Sequence, residues 1–228
     1  MSGGPTLADS AGSETSRVAA LRDFALAQPL RRVAAVLFGG IAIMAVLGTL
    51  QRLGAAPNLF DVDGEGKPPA AWSAIVLLVA ATAAWLVSTV PSEHDARLRF
   101  RLLAAFLAFM GADEGLTLHE RLSDAVGVGW LILYLPVAAV GGVMWLAVLR
   151  RLWPLERERI LMILGAAAWL GSQLIEKVQS NGQEGRIEGY GALSLIEEIL
   201  EVTGSALFAL ALLGALQVLY RRRPSRLT

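Results

Sequence analysis

Long apolar runs alternate with short polar stretches along this chain. Six of the runs, at approximately 33–50, 72–90, 100–119, 129–149, 160–178 and 193–219, approach the about 20 residues that a helix needs to cross hydrocarbon. The pattern predicts an all-α, polytopic membrane protein with six transmembrane helices packed as a bundle over residues 31–220. Residues 1–30 are polar and rich in Gly, Ser and Ala, and carry no cleavable signal-peptide pattern. Val18, Leu21, Phe24 and Leu26 suit a short surface helix ended by Pro29, but a loosely ordered cytoplasmic tail is the expected state. Residues 221–228 form a basic C-terminus.

Charge orients the bundle. Fifteen arginines flank the runs on one side: Arg17, Arg22, Arg31, Arg32, Arg97, Arg99, Arg101, Arg150, Arg151, Arg157, Arg159, Arg221, Arg222, Arg223 and Arg226. The other side has Arg52, Lys67, Arg121, Lys177 and Arg186. Cytoplasmic loops carry the excess of Lys and Arg, so both termini are expected on the cytoplasmic side of a plasma membrane. Composition agrees, with 55% hydrophobic residues. The chain lacks cysteine, which excludes disulfides, zinc–thiolate sites and thiol nucleophiles. Two histidines in all exclude a multi-histidine metal centre or bis-histidine haem within one chain. No basic stripe with interleaved aromatics points to nucleic acid.

The orientation gathers the acids at the outer end. Asp113 and Glu114 lie in the third run, about 18 Å beyond Arg101 by helix rise, where hydrocarbon still surrounds the chain. Charges at that depth are costly and mark cavities or pathways, and near a helix C-terminus they also oppose its dipole. On an unbroken helix Asp113, Thr117, Glu120 and Asp124 share a face. His119 lies well off it and joins only if Gly115 or the helix end turns it back.

The sixth run opens with Glu197, Glu198 and Glu201. Ser194-Leu-Ile-Glu197 fits a capping box, which would account for Glu197 and Glu198 without a site. Glu201 lies beyond capping range, and three like charges so close repel unless a cation or protons intervene. Glu176 stands near the outer end of the fifth run, with Gln173 on its face. In the first outer loop, Asp61, Asp63, Glu65 and Gly66 resemble the opening of a calcium loop, but Trp72 replaces its closing glutamate and a solvated acidic turn is expected. No G-x-S-x-G elbow, phosphate loop or dinucleotide fingerprint is present.

The DGEG loop, the D-E-x4-H-E end of one run and the E-E-x2-E opening of another resemble a set of uncharacterised bacterial multi-pass membrane proteins. The likeness spans most of residues 33–219 and implies a polytopic fold without implying an activity. The residues themselves point to a divalent cation held by Asp113, Glu114, His119, Glu120, Glu176, Glu197, Glu198 and Glu201. Such hard oxygen donors suit calcium, magnesium or manganese better than zinc or iron. The expected activity is a metal-dependent membrane hydrolase of lipid or envelope substrates, with Glu114 and His119 as acid and base. A proton- or cation-coupled carrier is the alternative, and a structural or partner-binding membrane protein is the third. The bilayer is the expected surrounding in every case.

Overall fold

The computed structural model describes residues 7–61, 66–90, 94–181 and 190–222, and among these all regular structure is helical. In chain order the helices are α1 (Leu7–Ala27), α2 (Leu30–Arg52), α3 (Pro68–Thr89), α4 (His94–Leu116), α5 (Leu118–Val126), α6 (Trp130–Leu133), α7 (Leu135–Leu152), α8 (Glu156–Asn181) and α9 (Tyr190–Arg221). Prolines set several boundaries. Pro29, extended at φ −65° and ψ 126°, separates α1 from α2. Pro68 and Pro69 open α3, where a missing N–H costs nothing. Val90 ends it in an extended conformation, as expected of a residue that precedes proline.

Among the described residues, α2, α3, α7, α8 and α9 are long and apolar enough to cross a membrane. Helix α4 matches them in length but carries arginines at one end and Asp113 and Glu114 at the other. Two expected runs are broken. The third stops at Leu116 and not at 119, because Thr117 turns left-handed. The fourth divides into α6 and α7, with Pro136 in the first turn of α7. Leu7–Ala27 is helical, longer than the short surface helix that Val18, Leu21, Phe24 and Leu26 suggest. The end of α1 docks on the end of α9. There the Arg22 guanidinium stacks 5.1 Å from the Tyr220 ring, and Gln217 donates 2.8 Å to the Gln28 carbonyl.

Helix α3 forms the spine, packing on α4 and α9, while α8 lies along the far side of α9. Ala80, Ala84, Ala209, Ala211 and Ala215 are fully buried between Leu77, Leu86, Leu212 and Leu216. Small residues let helix backbones approach where burying apolar surface offers no gain over lipid. The α8–α9 joint is the tightest: a Cβ on Gly204 would stand 2.7 Å from the Gly165 carbonyl and 2.5 Å from Trp169. Helix α7 packs on α4 through Gly141, against which the Phe106 ring lies, and touches α8 only sparingly. That leaves space between α4, α7, α8 and α9.

Candidate functional site

The space is a cavity of about 720 Å³. One end is lined by Asp113, Glu114, His119, Tyr134, Gln173, Glu176, Gln179, Glu197, Glu198 and Glu201. The rest is apolar, with Leu103, Phe106, Trp145, Met162, Trp169 and Leu212 among its walls.

Asp113 is the fixed point of the polar end. It is 4% exposed and accepts three hydrogen bonds. The Tyr134 hydroxyl donates at 2.6 Å and the His119 backbone N–H at 2.9 Å, both to Oδ1. His119 Nδ1 lies 3.2 Å from Oδ2. The His119 and Tyr134 rings meet edge to face, 6.1 Å apart. The device that makes this possible is Thr117, at φ 54° and ψ 42°. A β-branched residue in the left-handed region costs about 1–2 kcal/mol, so surrounding contacts must hold it there. The reversal ends α4 and folds the start of α5 back, which brings His119 to a carboxylate that an unbroken helix would keep out of reach.

Helices α8 and α9 supply the opposite wall. Gln179 donates 2.6 Å to Glu197, and Glu176 lies close to the same carboxyl group. Two carboxyl groups in contact repel unless a proton or a cation lies between them. Glu201 is half-buried, and Glu114, Glu176, His119 and Asp113 all act on it electrostatically. Its neighbours therefore come from α4, α5 and α8. Its own backbone carbonyl accepts a 3.1 Å bond from Ser205, which in turn accepts one from Trp169.

The structure thus brings Asp113, Glu114, His119, Glu176, Glu197, Glu198 and Glu201 to one cavity. The side chain of Glu120 lies outside the described residues, and the continuous face proposed for Asp113, Thr117, Glu120 and Asp124 is broken at Thr117. The capping box is also corrected. Helix α9 begins at Tyr190, so Ser194 is inside it and accepts a 3.2 Å bond from Arg52 of α2. Glu197 is then a buried wall residue and not part of a first turn. In the loop between α2 and α3, Asp61 pairs with Lys67 at 2.9 Å, while Asp63 and Glu65 lie outside the described residues. Among the described residues, no three His, Asp or Glu side chains are gathered tightly enough to form a metal site.

Residues 28–216 match a family described as a domain of unknown function, DUF8692. The chain belongs to this family. No curated protein and no solved structure matches it. The family stretch contains every wall of the cavity, from Ala70 to Leu212, and leaves out all of α1.

Some residues in or beside the cavity of this family member are not singled out by sequence reasoning. Tyr134 opens an apolar helix and reads as an ordinary interfacial aromatic. Its role depends on the α6–α7 break that aims its hydroxyl at Asp113. Gln179 had a usable signal, because Ser172, Glu176 and Gln179 recur at helical spacing on α8. Arg52 gave none, since its contact with Ser194 joins helices far apart in sequence.

Proposed function

We propose that this protein is a six-span membrane enzyme, with both termini cytoplasmic, that uses a divalent cation to hydrolyse a lipid-class or envelope substrate. The observation that carries the reading is the cavity itself, in which six carboxylates and a histidine adjoin a long apolar lining. An amphipathic substrate fits that division, with its tail along the apolar walls and its polar linkage at the acids. The arginine asymmetry supports the orientation.

The donor set suits calcium, magnesium or manganese, being carboxylate oxygens with one imidazole. Glu176 and Glu201 would hold the ion, with Asp113, Glu120, Glu197 and Glu198 as further donors and Glu114 or His119, whichever is not the base, completing the set. When bound, it would polarise the scissile bond. Asp113 positions His119: with Nδ1–H donated to the carboxylate, the lone pair of the imidazole sits on Nε2. His119 or Glu114 then takes a proton from water as the water oxygen attacks the acyl or phosphoryl centre. The bond to the leaving oxygen breaks, and the same group returns the proton to it. The apolar lining keeps bulk water away. Transport would need a polar route along Leu103, Met162 and Leu212, which supply none, so it stands second.

The test is a titration of calcium, magnesium, manganese and zinc into chelator-treated protein in detergent. A cation selective for the native state raises the melting temperature, adding about 2.7 kcal/mol at a hundred times Kd. Glu201→Gln and Glu114→Gln are expected to remove the rise, and Glu184→Gln to leave it. If no cation raises the wild-type value, the metal reading falls and the proton-coupled carrier replaces it.

A further inference from the structure

The cavity is not sealed on the side of α7 and α8. These helices meet at their connecting turn and where Trp145 donates 3.2 Å to the Met162 carbonyl. Elsewhere they touch sparingly. Several residues that line the cavity are also widely exposed: Leu146 at 45%, Leu170 at 66%, and Ala138 and Gly142. Exposure on that scale along a cavity wall marks the rim of an opening. A Cβ on Gly142 would meet nothing within 4 Å, so no neighbouring helix closes the gap there.

The opening lies at hydrocarbon depth. Gly142 is near the middle of α7, which is about 27 Å long by helix rise, and Leu170 is near the middle of α8. What stands outside is therefore acyl chain and not water. From the rim the lining continues to Met162 in one direction and to Glu176 in the other, a span of about 21 Å along α8.

We propose that the gap between α7 and α8 is a lateral portal, through which the acyl chain of a bilayer phospholipid or related lipid enters the cavity. Its chain lies beside Trp145, Met162 and Trp169, and its polar end meets the carboxylates. The inference rests on the amphipathic-substrate reading above, and narrows it to a substrate taken from the membrane and not from the aqueous phase.

The test reconstitutes the protein in vesicles of phosphatidylethanolamine and phosphatidylglycerol containing a trace of phosphatidylcholine with a diazirine in its acyl chain. After illumination, peptides holding Trp145, Met162 and Trp169 are expected to carry lipid. Gly142→Trp and Leu170→Trp, from opposite rims, should each lower that labelling at least about ten-fold. Labelling at Val36 and Val46 on the outer face of α2 should not change, and melting temperatures report that the variants fold. Wild-type protein without adducts at Met162 and Trp169 overturns the portal, as do folded rim variants that label like wild type. Labelling needs neither cation nor turnover. Adducts without cation binding or hydrolysis keep the portal and remove the enzyme, whereas cation-dependent hydrolysis without adducts does the reverse.

Discussion

Helix α8 makes two joints of opposite kind. Against α9 it is closed, with the Gly165 and Gly204 backbones facing each other, the Phe208 and Trp169 rings over them and a Trp169–Ser205 hydrogen bond beside them. Against α7 it is open, with one indole-to-carbonyl bond and a glycine facing empty space. Both joints use the same residue types. Glycine in a membrane helix therefore carries no fixed meaning: at 204 it permits contact, and at 142 it widens a gap. The comparison also separates stability from site. The α3–α9 core buries its helices deeply, while the open joint borders the cavity where the acids collect.

The largest effect is expected from breaking the closed joint. Gly204→Leu would drive a side chain into the Gly165 carbonyl and the Trp169 ring, and the carbonyl cannot rotate away. Overpacking of this kind costs about 1–3 kcal/mol, and more where backbone must move. Thermal unfolding in detergent should register a large fall in melting temperature or loss of monodisperse protein. A Gly204→Leu variant as stable as wild type would mean that α8 and α9 are not in backbone contact.

An intermediate effect is expected at Asp113, which supports the open joint from its far end. Helix α7 leans little on α8, so the bond from Tyr134 to Asp113 tethers its start to α4. Asp113→Ala removes the acceptor of three hydrogen bonds and should cost about 1–3 kcal/mol, the usual penalty for stranded buried donors. Asp113→Asn retains one carbonyl oxygen and should lose less. Thermal unfolding of the two variants checks the order, and equal losses would argue that charge, and not the Tyr134 tether, is what matters.

The same contrast explains what could be read without coordinates. The closed framework was legible because hydrophobic runs mark helices wherever they pack; Asp113 and Glu114 stood out by depth, Glu201 by lying beyond capping range beside two like charges, and Glu176 by its place near the end of an apolar run. Local reversals were not legible. Nothing about Thr117 announces a left-handed residue, since β-branched side chains are poor candidates for it. Its position is imposed by the contacts that Asp113 makes with His119. The capping-box reading of Glu197 failed for a related reason: a capping box is a local signature, and the start of α9 at Tyr190 puts Glu197 in the helix interior. The gap between α7 and α8 leaves no periodic trace either, because lipid-facing and cavity-facing positions are both apolar.

The smallest expected effect sharpens the comparison most. Gly142→Ala adds one methyl where nothing lies within 4 Å. If the joint rests open, the added group meets only cavity or lipid. The substitution then acts through the unfolded chain, where alanine has less backbone freedom to lose than glycine, and it should stabilise by about 0.4–1 kcal/mol. If α7 instead swings against α8 in the bilayer, position 142 becomes a close-approach site like 204. The same methyl would then be destabilising, and more so in lipid than in detergent. Thermal unfolding of Gly142→Ala in detergent and in phosphatidylglycerol nanodiscs separates these cases by sign. A small rise in both media fits a joint that rests open, and a fall confined to nanodiscs would show that α7 closes on α8 in the bilayer.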